Sequence, residues 1–288
     1  MSDQSLVITR HKPPKINIAA RYLSLLSLLV LLLIVLFPLV VITLNSFKTE
    51  NEYFNNGPLS PPQHVSLDNI EAVWDRLDYT VKLKNSFFIS MTTALVGVGL
   101  SLFNAFALGI GKIKGRAFFL VFFVIAITLP QEVLAYPLYY MFKEVGLYDS
   151  RWAVIIIFAV LHSAFGTYLL ASVFTAFPTE LLEAAVIDGC NKPQLLFRIV
   201  VPINWPSLSV LFVFFFIWTW NEFFLPLIFL VSNANQTVPL AIAMFQGQRG
   251  AAATFQSTAS LLGVLPCLIF FLIFQRTLSK GIVAGSIK

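Results

Sequence analysis

The chain has 288 residues and a formal net charge of +5, is 58% hydrophobic and carries only 11% charged residues; its mean hydropathy is +0.82. Water-soluble domains carry roughly 25% charged residues, so this composition excludes an ordinary soluble core. The basic excess makes no face suited to nucleic acid, because the Lys and Arg residues lie beside long apolar runs.

In chain order, residues 1–21 form a basic, proline-containing tail. No Asp, Glu, Lys or Arg then occurs from Tyr22 to Phe47. This run is too long for a signal-peptide core and lacks a small-residue cleavage site, so residues 22–45 read as a retained membrane helix. Asn45 to Lys84 form the longest external loop, irregular at Pro58, Pro61 and Pro62. A second span covers 85–110, where Gly97, Gly99, Ser101 and Asn104 suit close helix contact. A tight turn from Gly111 to Arg116 leads into a third, 117–140, interrupted only by Glu132. The fourth covers 152–176; the fifth, 207–231, contains only Glu222; the sixth covers 256–276. Each can cross a bilayer, which needs about 20 apolar residues. Twelve of the 19 basic residues flank one side: Arg10, Lys12, Lys15 and Arg21, then Lys112, Lys114 and Arg116, Lys192 and Arg198, and Arg276, Lys280 and Lys288. The positive-inside rule places both termini in the cytoplasm of a cell or inner membrane. Cys190 and Cys267 fall on different sides and imply no disulfide.

The cytoplasmic segment 178–206 differs in character, with acids, bases and apolar residues between prolines. Its spacing predicts two short helices joined at Gly189. Thr179 caps the first, Asn191 caps the second, and Pro193 sits in the second helix's first turn. Leu181, Leu182, Ala184, Ala185, Leu195, Leu196 and Phe197 would leave apolar surface for a partner's groove.

Glu183-Ala184-Ala185, then Gly189, Ile199 and Pro202 at their spacings, resemble the cytoplasmic loop of permeases of type I ATP-binding-cassette importers, with Val201 where that pattern has Leu. The resemblance covers most of the chain from Asn85 onward. It narrows to the carbohydrate-uptake group, similar to the second permease of maltose-type importers. That narrowing rests on Asp188, Phe197, Pro202 and Pro206, on Trp220-Asn221-Glu222-Phe223 for the group's Trp-Asn-Asp-Phe, and on Arg276 through Ala284-Gly285. Cys190 stands where the group has a small Ala. The resemblance implies an all-α polytopic membrane protein of six transmembrane helices, the type I importer transmembrane domain. It also implies a coupling role for Glu183, Ala184, Ala185, Asp188, Gly189, Ile199 and Pro202. The implied partners are a second permease subunit, a dimer of cytoplasmic ATP-binding-cassette ATPases, an extracytoplasmic solute-binding protein, a carbohydrate and membrane lipid. No cofactor is expected on this chain. It has no Gly-x-x-x-x-Gly-Lys-Ser/Thr loop, so ATP and Mg belong on the partner ATPase and the permease is not itself an enzyme.

Further candidates lie along the spans. Glu222 sits about 22 Å along the fifth span from Ser207 at about 1.5 Å per residue. A carboxylate at that depth faces a cavity or a partner helix. A hydrogen bond to the neighbouring permease and a place in the solute path stand side by side as readings of Glu222 and of Asn221. Gln131, Glu132 and Tyr136, beside Pro130 and Pro137, either mark a broken helix lining a path or form an interfacial aromatic and proline cap, and the cap is the favoured of the two. Trp218 and Trp220 read as packing residues. His11, His64 and His162 lack metal-ligand spacing and read as incidental. In the last external loop, Gln246, Gln248 and Arg249 are candidate contacts for the binding protein, by the resemblance. Two other functions remain: a proton- or ion-coupled secondary transporter relaying through Glu132, His162 and Glu222, and an importer permease for a solute other than a sugar.

Overall fold

The computed structural model describes residues 18–249 and 252–284, with side chains at 19, 21–245 and 252–276. Among these residues the chain is helical, without strands. α1 (Ile18–Ser46) is followed by two short helices, α2 (Glu50–Asn56) and α3 (Asp68–Arg76). α4 (Tyr79–Ala105) widens into a π-helical turn over Phe106–Ile110. α5 (Arg116–Thr128) and α6 (Gln131–Glu144) form a bent pair, and α7 (Arg151–Thr175) crosses straight. Segment 178–206 holds α8 (Thr179–Ile187), α9 (Lys192–Gln194), a π-helical turn Leu195–Val200 and α10 (Val201–Ile203). α11 (Trp205–Asn221), α12 (Phe224–Phe229), α13 (Val238–Arg249) and α14 (Ala253–Ala284) complete the order.

Four helices are long and apolar enough to cross a membrane unbroken: Arg21–Ser46, Tyr79–Ile110, Arg151–Thr175 and Ala253–Arg276. Two bent pairs raise the number to six, if each is one span. The third expected span breaks between α5 and α6, which meet at 96°. Pro130 has no N–H to give the turn before it, and it drives Leu129 into extended backbone (φ −71°, ψ 123°). Pro137 lies within α6 without ending it. The fifth expected span, 207–231, is also interrupted. α11 stops at Asn221, Glu222 is extended (φ −69°, ψ 133°), and α12 begins only at Phe224. Pro226 accounts for this: in an unbroken helix its ring would press on the Glu222 carbonyl four residues earlier and leave it without a donor. The second expected span starts two turns early, at Tyr79, because the helix runs through Lys82 and Lys84.

The core is built on α4 and α7, the most extensively packed helix pair. Small residues set their distance. A Cβ on Gly166 would lie 2.8 Å from Ser101 Cβ and 2.9 Å from Phe215 Cζ; on Gly97 it would lie 3.1 Å from Phe215 Cδ2. Ser101 Oγ donates to the Gly97 carbonyl at 2.6 Å, and Asn104 Nδ2 to Thr167 Oγ1 at 3.3 Å. These residues serve helix contact, as the sequence suggested; Gly99 alone faces open space. α11 packs on this pair through Leu211, Val213, Phe215 and Phe216, all buried. α14 closes the side, and Pro266 within it leaves the Leu262 carbonyl without its helical donor. The Tyr79 hydroxyl donates to that carbonyl at 2.7 Å. α1 packs chiefly on α14 and buries none of its most apolar window in the chain.

The helix ends opposite α8 are tied by polar groups. Buried Lys48 donates to Asn45 Oδ1 (3.0 Å) and to the Gly57 and Pro58 carbonyls (3.0 and 3.3 Å). Burial lowers its pKa, against the pull of nearby Glu52. The loop after α12 is held to α4 and to the turn before α7. Lys82 Nζ donates to the Asn233 carbonyl and side chain, and Asn85 Nδ2 to the Ala234 and Gln236 carbonyls (2.7 and 3.0 Å). Asp149 accepts from Ser232 and from Asn235. Burial pushes the Asp149 carboxyl up, but those hydrogen bonds outweigh it and hold the pKa below the usual carboxylate value.

Candidate functional sites on the cytoplasmic loop and in the membrane

Segment 178–206 folds as two short arms. α8 ends in a Schellman turn: the Cys190 N–H donates to the Ala185 carbonyl (2.9 Å) and the Gly189 N–H to the Val186 carbonyl (3.0 Å), with Gly189 at φ +81°. The second arm starts at Asn191 with a full capping box, Gln194 N–H to Asn191 Oδ1 (3.0 Å) and Asn191 N–H to Gln194 Oε1 (2.9 Å). Pro193 lies in its first turn, as the spacing suggested. Thr179 does not cap α8; it is the first helical residue, Pro178 precedes it, and no side chain caps that end. Pro202 cannot donate to the Arg198 carbonyl, and the backbone answers with the π-helical turn, where the Val201 N–H reaches Leu196. This arm meets α11 at an elbow of 80°.

Sidedness differs from the sequence reading at three residues. Ala185, Leu195 and Leu196 are buried in the chain's own packing, and Leu196 and Val200 join the core of α4, α7 and α11. Val186 and Ile187 take their place on the outside, at 61% and 85% exposure. Of the motif residues, Glu183, Ala184, Asp188, Gly189 and Pro202 are exposed and Ile199 is half-buried. The result is an apolar ridge edged by acids, held on the core by Leu195, Leu196 and Val200 of the second arm.

In the membrane, the break of α5/α6 faces the break of α11/α12. Gln131 Nε2 donates to both oxygens of Glu222, at 3.3 and 3.2 Å. A cleft of about 250 Å³ lies beside this pair, lined among others by Leu129, Leu161, His162, Phe165 and Trp218. His162 Nε2 is 3.2 Å from Thr219 Oγ1, and its ring stacks between Phe158 and Phe215 at centroid distances of 5.6 and 5.3 Å. Gln131 and Glu222 are therefore brought together at a broken helix, the less favoured sequence reading of that stretch. Glu132 and Tyr136 are exposed and do not join them; Tyr136 stacks edge-on with Tyr140 at 4.8 Å. Asn221 is exposed and caps its own helix, donating to the Ile217 carbonyl at 2.7 Å. His162 and Trp218, passed over as incidental and as packing, line the cleft. Their signal was present, a lone His and a Trp inside apolar runs, and the sequence had set His162 beside Glu222 only in the alternative of a proton relay. Gln246, Gln248 and Arg249 close α13, and their side chains lie outside the described residues.

Comparison with known proteins identifies the family and the fold. The family described as "Binding-protein-dependent transport system inner membrane component" matches residues 97–283. The inner membrane ABC transporter permease protein YcjP of Escherichia coli is 30% identical over 88% of this chain and 92% of its own length. The sulfoquinovosyl glycerol transport system permease protein SmoH of Agrobacterium fabrum is 31% identical over 88% and 89%. The trehalose/maltose transport system permease protein MalG of Thermococcus litoralis is 28% identical over 94% and 98%. Among solved structures, a chain of a bacterial ABC transporter involved in the import of the acidic polysaccharide alginate superposes with a TM-score of 0.77. At 18% identity, over 92% of this chain and 99% of that one, this likeness establishes the fold.

Proposed function

The chain belongs to the binding-protein-dependent inner membrane transport components, and from that premise we propose that it is one permease subunit of an ATP-driven carbohydrate importer. Curated relatives named for sugar transport support the solute class: starch degradation products, arabinooligosaccharides and diacetylchitobiose besides those above. In this reading a second permease forms the other half of the pathway. A pair of cytoplasmic ATPases holds ATP and Mg, an external binding protein delivers the sugar, and both termini lie in the cytoplasm.

The observation that carries the coupling role is the exposed ridge of α8. A helix that leaves Val186 and Ile187 bare at a membrane's cytoplasmic edge, while Leu195 and Leu196 root its continuation in the core, is built to be gripped by a groove and to pass the grip on. Glu183, Ala184, Asp188 and Gly189 form the docking face. Ile199 and Pro202 shape the elbow, and Gln131 and Glu222 stand on the solute path.

Reconstitution tests this reading. The chain, co-expressed with its neighbouring permease and ATPase and supplied with the binding protein, should import sugar into proteoliposomes only with ATP inside the ATPase's compartment. Uptake by this chain alone, driven by a proton gradient, would refute it and favour the relay through Glu132, His162 and Glu222.

A further inference from the structure

The importer reading says that a sugar passes; the membrane cleft carries information on which kind. At about 250 Å³ it falls below the roughly 300–1,000 Å³ of clefts that hold drug-sized ligands, and suits one ring rather than two. Its walls are apolar except where three polar side chains converge, the Gln131 amide, the His162 imidazole and the Glu222 carboxylate. Each keeps hydrogen-bonding capacity. Glu222 offers about four acceptor sites and Gln131 occupies two. Among the described residues, Gln131 Oε1 has no donor, and His162 binds through Nε2 alone. Trp218 and Phe165 add aromatic surface beside these groups. A small ligand that is apolar on one side and hydroxylated on its edge matches such a wall.

The charge of the lining is one-sided. No Lys or Arg borders the cleft, and Glu132, next to Gln131 and exposed, repeats the sign of Glu222. An acidic ring would bring its anion against a carboxylate with no cation in the wall to receive it, whereas a hydroxyl donates to the same oxygens. Resting on the importer reading, we propose that this cleft is a subsite for a single uncharged pyranose ring of the transported sugar, with Glu222 and His162 receiving hydroxyls beside Trp218, and that it selects against acidic sugars.

The test uses the whole complex, captured through a tag on this chain together with its partner subunits and without the binding protein. Saturation-transfer NMR would compare methyl α-glucopyranoside with methyl α-glucuronopyranoside, which differ only in a carboxylate at C6. Transfer to the neutral ring at least tenfold above the uronate is the expected result. Glu222→Gln should narrow that ratio to near one, and Leu161→Trp, which fills the cleft and leaves its polar groups in place, should abolish transfer to the neutral ring. Equal transfer to both rings in the unaltered complex, transfer to neither, or a neutral-ring signal that survives Leu161→Trp overturns the subsite. ATP hydrolysis by the same preparation after binding protein is added separates the two levels. A complex that responds to binding protein yet saturates neither ring loses the subsite and keeps the importer; capture with no ATPase subunit removes both.

Discussion

Gly189 is where the coupling role meets its most quantitative test. Its φ of +81° lies in the left-handed region, and no atom lies within 4 Å of the place a Cβ would take. An alanine there meets no clash, so its effect is that of backbone alone, about 1–2 kcal/mol for an L-residue held left-handed. Asparagine tolerates this region better than alanine does, and its penalty falls lower. Proline is far worse: it locks φ near −65° and deletes the N–H that bonds Val186, a loss of about 3 kcal/mol or more. At about 1.4 kcal/mol per tenfold, alanine should shift the balance between formed and unformed turn by about five- to thirtyfold, and proline by more than a hundredfold. Because the turn lies outside the membrane core, all three variants should insert in normal amounts. Sugar imported per ATP hydrolysed, measured in proteoliposomes, should fall in the order Gly, Asn, Ala, Pro. Coupling unchanged in the proline variant, or an alanine variant as impaired as proline, would refute the argument that this turn's geometry carries the force.

Three further outcomes follow from the packing. Tyr79→Phe should destabilise by about 1–3 kcal/mol, because the Leu262 carbonyl loses its donor; Pro266→Ala returns a backbone N–H, so thermal denaturation of the double variant should recover most of the loss. Gly166→Ala should cost about 1–3 kcal/mol by overpacking against Ser101 and Phe215, while Gly99→Ala, facing open space, should be neutral or stabilising by up to about 1 kcal/mol. For Asp149, a carboxyl whose folded pKa lies below its ordinary 3.8, the contribution is fully present above that value and is lost as pH falls through the folded pKa. Protection factors for hydrogen exchange over residues 232–235 should therefore fall below about pH 4 in the native chain, and Asp149→Asn should show low protection at every pH.

What the sequence disclosed follows the range of the physics involved. Charge-free runs report burial in lipid residue by residue, and they located the helices at 22–45 and 152–176 within a few residues of the ends seen, while the helix expected at 256–276 runs on to Ala284. Capping is equally local: Asn191 with Gln194, and Gly189 after Ile187, needed only neighbours within five residues. The break at Glu222 was also written locally, in Pro226 four residues on, yet hydropathy averages over such a signal and read the run as one span. Which way Ala185, Leu195 and Leu196 face was not written locally at all. It depends on α4 and α7 arriving beneath them, and an apolar residue on a short amphipathic arm looks the same whether its cover is its own chain or a partner. His162 was illegible for the same reason, since Thr219, its hydrogen-bond partner, lies 57 residues away.

The two sites are joined by one rigid element. α11 has 17 residues, about 25 Å at 1.5 Å per residue, with the elbow of the 191–203 arm at one end and Glu222 just past the other. Both ends are freed by proline chemistry, while the segment beyond α12 is anchored by Lys82 and Asn85 of α4 and by Asp149 before α7. In the importer reading, a push on α8 reaches α11 through the arm rooted in the core by Leu195, Leu196 and Val200, and the anchored segment beyond α12 resists it. A tilt of about 10° in a helix of about 25 Å moves its far end by about 4 Å, more than the 3.2 Å that separates Gln131 from Glu222. In the importer reading, the hydrogen bond across the two breaks lies at the far end of this lever, where a tilt of α11 displaces it most, and the carboxylate released there is the one that faces the cleft.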